Sequence, residues 1–421
     1  MNISTMKKSF TLAISVLALG VLTGTGAGIL GLFLGAVERL FLHFEETALR
    51  PDAAGTAPIQ RLLSIFIGGC IVALVWYFIR RTHKIPKITA AMAGKPMPFW
   101  SSLLHIFAQI FYVGTGGSVG RELAPRELGA LLAQKWQILL EKLGLSTLTA
   151  AEKSLMIAAA AGAGFSGVYI APITGMFFCI EILHRKIDLR AVSLSLSMSI
   201  VAMLVGAWIK GTAPYYIVGQ ETFSSAFLIF VIIVAPICGL LGAYFRKAFL
   251  WAEAKQPQTK EILWQLPSAA LITGLIAMLF PQIMGNGRAL AQMAMNAASG
   301  KLILTLLLIA ALKCFATVLT IRAGASGGTL TPAIAIGAST GAIAVLLVPG
   351  TGILVWQGAM LGAAAMLASA QQAPLMALFM MIEISHLPID SVVPLGLGVA
   401  LATAVSQFVL KRQKVQGLQD E

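Results

Sequence analysis

From Phe10 to Val37 the chain carries no Asp, Glu, Lys or Arg, and from Leu62 to Ile79 it does so again. Runs of that length fit hydrocarbon, which takes about 20 apolar residues to span as a helix. Over the whole chain, 58% of residues are hydrophobic and only 11% are charged. A soluble fold of 421 residues could not be covered by so little polar surface. The chain reads as an all-α polytopic membrane protein. Its net charge of +13 sits in short clusters between apolar runs, which points to cytoplasmic membrane loops and away from nucleic acid. Lys7 and Lys8 before the first run resemble a signal peptide, but the run far exceeds an h-region and reads as a retained helix.

A mixed-charge connection, Glu38 to Arg61, separates the two runs, and Arg80, Arg81, Lys84, Lys87 and Lys95 follow the second. The positive-inside rule places Lys7, Lys8 and this second cluster in the cytoplasm, with the amino terminus. The last apolar stretch reaches Leu410, so no soluble nucleotide-binding module is expected. The four cysteines stand far apart in apolar stretches, without CxxC spacing, and read as small core residues.

An internal repeat organises the rest. Ala171-Pro-Ile-Thr-Gly-Met-Phe-Phe-Cys-Ile-Glu-Ile182 returns as Ala373-Pro-Leu-Met-Ala-Leu-Phe-Met-Met-Ile-Glu-Ile384, and Gly120-Arg-Glu-Leu-Ala-Pro125 shares Gly-x-x-Leu-x-Pro with Gly327-Gly-Thr-Leu-Thr-Pro332. Residues 1–214 and 215–421 are read as the two copies, joined at the polar stretch from Tyr215 to Thr222. Glycine or proline breaks are expected at Gly114 to Gly120, Pro125, Gly162 to Gly167, Pro172, Gly324 to Gly328, Pro332 and Pro374, although single glycines also serve close helix packing. Paired halves with broken segments at matching positions point to a transporter.

Glycine breaks before helices leave unpaired amides, which bind anions. Glu122, behind the glycine cluster, would compete for such amides when ionised and withdraw when protonated; alternatively it pairs with Arg121 or Arg126. Two GxSG matches, at Ser166 and Ser326, with His386 as a nominal base, resemble intramembrane proteases, but nothing in the sequence brings base and serine together. The five histidines lack ligand spacing, so no metal is expected, and no Walker A or GxGxxG pattern signals a nucleotide or other cofactor.

These segments resemble the CLC family of chloride channels and anion/proton antiporters over most of the chain. Gly120-Arg-Glu122 resembles GREGP, Gly327 to Pro332 resembles GGIFAP, and Ala158 to Ile182 resembles the family's small-residue segment ending in paired glutamates. The resemblance implies an inverted repeat of tilted, partly re-entrant helices, a homodimer in the lipid bilayer of the inner or plasma membrane, and an anion path in each subunit. By position Glu122 becomes the gate. Gly120, Arg121, Thr329, Leu330 and Thr331 would surround the anion, His83 and Ile85 fall on the family's serine motif, and Ile182 replaces the internal proton glutamate, leaving Glu181 beside it as the candidate proton-path residue. The pore tyrosine has no counterpart after Gln407-Phe408. Chloride is the first expectation, with protons as a possible partner. A fluoride/proton antiporter is the second, because Leu330-Thr331-Pro332 resembles that branch.

Overall fold

The computed structural model describes residues 3–145 and 148–417. Sixteen α-helices lie among them. The first eight are α1 (Ile3–Leu42), α2 (Pro58–Thr82), α3 (Ile88–Met92), α4 (Phe99–Gly114), α5 (Leu123–Lys142), α6 (Ala150–Tyr169), α7 (Pro172–Phe177), which runs on as a π-helical turn over Phe178–His184, and α8 (Leu189–Lys210). The second eight are α9 (Ser225–Ala254), α10 (Ile262–Leu279), α11 (Arg288–Met295), α12 (Ile303–Arg322), α13 (Leu330–Leu346), α14 (Val355–Gln371), α15 (Pro374–Ser385) and α16 (Val392–Gly417). Taken in order, each helix of the first set has a counterpart in the second. Helices α1, α2, α8, α9, α10, α12 and α16 contain stretches long and apolar enough to cross a membrane.

The repeat extends to single backbone angles. Ile170, which ends α6, has φ 56° and ψ 43°; Gln372, which ends α14, has φ 56° and ψ 40°. The next residues, Ala171 and Ala373, are at φ −132°, ψ 79° and φ −137°, ψ 80°, and a proline opens the following helix each time. A left-handed conformation at a β-branched isoleucine is an outlier, so the tight reversal, not residue preference, dictates it. Pro125 and Pro332 sit in the first turns of α5 and α13, where no intrahelical N–H is lost.

Two compact units emerge from the contacts: one comprises the segment up to Leu34, Phe78–Ile110 and Glu122–Ala213, the other Gly35–Tyr77, Phe111–Arg121 and the chain from Pro214. In the first unit, a Cβ on Gly24 would lie 2.6 Å from the Ala202 carbonyl, one on Gly206 2.3 Å from the Gly167 carbonyl, and one on Gly129 2.1 Å from the Ala160 carbonyl. So α1, α6 and α8 meet backbone to backbone, and so do α5 and α6. The second unit repeats the scheme with α9 on α16 at Gly239 and α13 on α14 at Gly337 and Gly341. Such contacts are how helices associate where water supplies no drive.

Two sequence expectations need correction. Gly162 to Gly167 do not break the chain; α6 runs through them, and these glycines instead admit neighbouring carbonyls, Gly175 onto Gly162 and Pro125 onto Gly164. Glu38 belongs to the last turns of α1, not to a connection, because its buried carboxylate accepts the Glu46 amide at 2.9 Å and so closes the loop back onto the helix.

Glu152 ties three segments of the first unit. Its carboxylate accepts the Thr149 amide at 2.7 Å in a capping box, Lys8 approaches at 2.8 Å, and Arg190 pairs with the same carboxylate. Glu152→Ala is expected to cost about 2 kcal/mol through the lost cap and two half-exposed ion pairs. A thermal melt in detergent measures it. Glu141→Ala, which removes only the surface pair with Lys153, should cost well under half of that.

Candidate functional site

The stretch between α4 and α5 turns at Gly116, φ 99°, and the matching stretch after α12 turns at Gly324, φ 111°, a conformation glycine adopts freely. Within the second unit these stretches meet. The amide of Gly120 donates to the Gly328 carbonyl and the amide of Gly328 to the Gly120 carbonyl, both at 2.7 Å. Beside this two-bond bridge, a Cβ on Gly327 would stand 2.6 Å from the Val119 side chain. Thr329 follows Gly328 directly and is the N-cap of α13, so Leu330 and Thr331 form its first turn, both buried. First-turn amides have no intrahelical acceptor. The Thr329 hydroxyl accepts from Gln371 at 3.1 Å.

Behind the bridge lies a charge that the sequence reading passed over. Lys313, on α12, is fully buried and directs its ammonium at the Ser118 hydroxyl (2.9 Å), the Ile283 carbonyl (3.0 Å) and the Gly285 carbonyl (2.7 Å). These three acceptors are one hydroxyl and two carbonyls. Thr317, one turn on, meets Ser118 at 3.4 Å. The signal was present in the sequence as a lone lysine inside an apolar run, but its partners come from distant segments.

Arg121, next to the bridge, is pinned in the same unit. Glu46 takes its guanidinium at 3.4 Å and that of Arg288 at 3.3 Å, while both guanidinium groups lie over the Tyr215 ring, at 5.3 and 4.1 Å from its centre. Arg288 also donates to the Tyr215 carbonyl from Nε (2.9 Å) and Nη2 (2.6 Å). Glu46, Arg288 and Tyr215 were not foreseen.

The first unit holds Glu122. It is the N-cap of α5 with no exposed surface, and the Nε of Arg126 donates to its carbonyl at 2.7 Å. The Arg126 guanidinium sits over the Phe178 ring and within electrostatic range of the carboxylates of Glu122 and Glu127. His83 is exposed in the link after α2 and meets the Ser101 hydroxyl at 3.1 Å; Ile85 is half-buried in the same link. Glu181, half-buried, occupies the π-helical turn after α7. Of the two GxSG serines, Ser166 is buried and donates to the Ser199 carbonyl at 2.8 Å, which commits the hydroxyl to helix packing. Ser326 lies in the link before α13, and His386 caps α15. Among the described residues no cluster of His, Cys, Asp and Glu could hold a metal ion.

The voltage gated chloride channel family model matches residues 68–407. A voltage-gated ClC-type chloride channel, ClcB, from Salmonella dublin is 27% identical over 83% of this chain and 85% of its own length. Among solved structures, a slow cyanobacterial Cl−/H+ antiporter superposes with a TM-score of 0.79 at 20% identity, covering 94% of both chains. A CLC-type fluoride/proton antiporter gives 0.66 at 22% identity, covering 94% of this chain and 95% of its own. The all-helical fold is therefore the CLC-type inverted repeat of a multi-pass membrane protein. With the family model spanning both copies of the repeat, from within α2 to within α16, this chain belongs to the voltage gated chloride channel family.

Proposed function

We propose that the protein carries small inorganic anions, chloride foremost, across a cell membrane, with Glu122 as the gate of a path whose anion sites include Gly120, Arg121, Thr329, Leu330 and Thr331. The observation that carries the reading is the Gly120–Gly328 bridge. It holds the backbone immediately before the first turn of α13 fixed, with the Lys313 ammonium bonded to Ser118, two residues from Gly120. Amide dipoles at a helix start attract an anion without locking it in place, as permeation requires.

Glu122 stands one residue beyond Arg121, which shares the Glu46 carboxylate with Arg288. An ionised Glu122 competes with the anion; a protonated one does not. Flux is therefore expected to rise as pH falls. In this reading the protein is a homodimer in the inner or plasma membrane, with a path in each subunit and the amino terminus in the cytoplasm, and performs no enzymatic chemistry. His83 and Ile85 would lie near the cytoplasmic mouth. A fluoride/proton antiporter is the second reading, favoured by the buried Thr331 in the first turn of α13, whose hydroxyl suits a small anion.

Purified protein in liposomes loaded with chloride or fluoride tests both. The Glu122→Gln variant is expected to change chloride flux by about tenfold or more and to lose its pH dependence. Flux in that variant that still tracks pH as in the unaltered protein removes Glu122 as the gate. Fluoride efflux far above chloride efflux would favour the second reading.

A further inference from the structure

Helix α4 carries Ser101, His105 and Gln109 at intervals of four residues, hence on one face, inside a largely apolar sequence. That face meets Glu127 on α5. The Nε2 of His105 lies 3.5 Å from the Glu127 carboxylate, and Gln109 donates to the same oxygen at 2.6 Å. Glu127 is 8% exposed and Gln109 1%. At the other end of the stripe, Ser101 meets the exposed His83. Every one of these residues belongs to the first unit, as does Glu122.

We propose that His105 and Glu127 form an internal proton-transfer site that links the His83–Ser101 end of α4 to Glu122. The inference rests on the reading of Glu122 as a protonatable gate and supplies what that reading lacks, because Ile182 cannot titrate.

The hydrogen bonding suits a group that changes protonation. In the ionised state Glu127 accepts from the Gln109 amide, which leaves the Oε1 of Gln109 buried without a hydrogen-bond partner. A protonated Glu127 needs an acceptor instead, and turning the Gln109 carboxamide over presents that same Oε1. Both states then find one good bond and leave one carboxamide atom unsatisfied. The Ser102 hydroxyl, also buried without a hydrogen-bond partner, adds a second polar atom on α4. Arg80 of α2 lies within electrostatic range of His105, and Arg126 of α5 within range of Glu127, whose ionised form it helps to hold at depth.

The transfer balances. A proton taken up by the His105 imidazole makes the imidazolium, whose Nε2–H faces Glu127; passing it on restores neutral imidazole and leaves a carboxylic acid. Glu127 then returns to the carboxylate by giving that proton to Glu122. The step from Ser101 to His105 spans about 6 Å of helical rise, and that from Glu127 to Glu122 spans about 8 Å of rise and about 140° around the helix, so both require a chain of waters.

The full chain in liposomes, with a chloride gradient and an external pH electrode, tests the site. The unaltered protein is expected to move protons uphill. Glu127→Gln should lower proton movement per chloride by at least about tenfold, and His105→Gln likewise, with chloride flux continuing. If Glu127→Gln abolishes chloride flux as well, His105→Gln decides. Proton movement per chloride at the unaltered level in that variant overturns the proposal, and so does an unaltered protein that moves no protons. Neither result touches the gate, which Glu122→Gln tests through chloride flux alone.

Discussion

Gly341→Leu is expected to abolish folded protein. A Cβ at this position would lie 1.9 Å from the Gly358 carbonyl oxygen and 2.6 Å from its carbon, and one turn earlier Gly337 stands in the same relation to Gly362, at 2.3 Å. Overpacking costs about 1–3 kcal/mol where side chains can yield. Here the obstacle is backbone on both sides, so α13 and α14 must part along their length and lose their dispersion contacts. The first turn of α13 carries Thr329 to Thr331, so any protein that survived would also have displaced anion sites. Size-exclusion chromatography in mild detergent is the measurement, and a monodisperse peak like that of the unaltered protein would contradict the packing argument. Gly55→Ala is the control. Its Cβ would meet nothing within 4 Å, and its φ is not positive, so it should behave as the unaltered protein does.

Glu46→Ala is expected to be the most damaging loss of a single charge. Its carboxylate, 10% exposed, is shared by Arg121 and Arg288, at 13% and 7%. Removing it leaves two nearly buried guanidinium groups over one tyrosine ring. Breaking a buried pair from one side costs about 3–5 kcal/mol, far more than a surface pair is worth. Glu46→Gln should fall between, since it keeps an acceptor without the charge. Thermal melting in detergent reads the order, and a double-mutant cycle with Arg288→Met should give a coupling energy of at least about 1 kcal/mol. An unaltered melting temperature for Glu46→Ala would mean that the arginines find other anions. Because Arg121 adjoins Gly120 and Glu122 in the chain, a freed guanidinium should also change anion flux in whatever protein remains folded.

The fold was legible where one residue type has one physical use. Uncharged runs long enough for a bilayer predict membrane helices, and α1 and α2 contain both of them. Pro172 and Pro374, each followed eight residues on by Ile-Glu-Ile, mark the repeat because proline opens a helix and cannot sit deep inside one without a kink. Glycine is ambiguous. It serves both a turn, as at Gly116, and a close contact, as at Gly162, and sequence alone does not tell them apart. The left-handed residues were hidden for the opposite reason, since isoleucine and glutamine at Ile170 and Gln372 give no sign of a positive φ.

At the candidate site, adjacency in sequence was enough for Gly120, Glu122 and Thr329. The Glu46–Arg288 pair joins residues 242 positions apart, and no local pattern announces it. Ser101, His105 and Gln109 were visible as a four-residue rhythm, yet each alone resembles an ordinary polar residue at a helix surface. Only Glu127, arriving from α5, gives the rhythm a meaning.

The π-helical turn at Phe178–His184 has a historical consequence. From the left-handed Ile170 to the left-handed Arg185 the first copy takes fifteen steps along the chain; from Gln372 to His386 the second takes fourteen. Both copies match through Ile-Glu-Ile, so the surplus residue lies just after it. A wider turn with i→i+5 bonds absorbs one residue without shifting what comes before or after. After duplication, then, the two copies came to differ by one residue in length here, and the wider turn holds the longer one without disturbing the frame of its neighbours. The ancestral symmetry was broken by a local bulge, at the end of the segment that carries Glu181, and that end of the first copy became free to evolve separately from its twin.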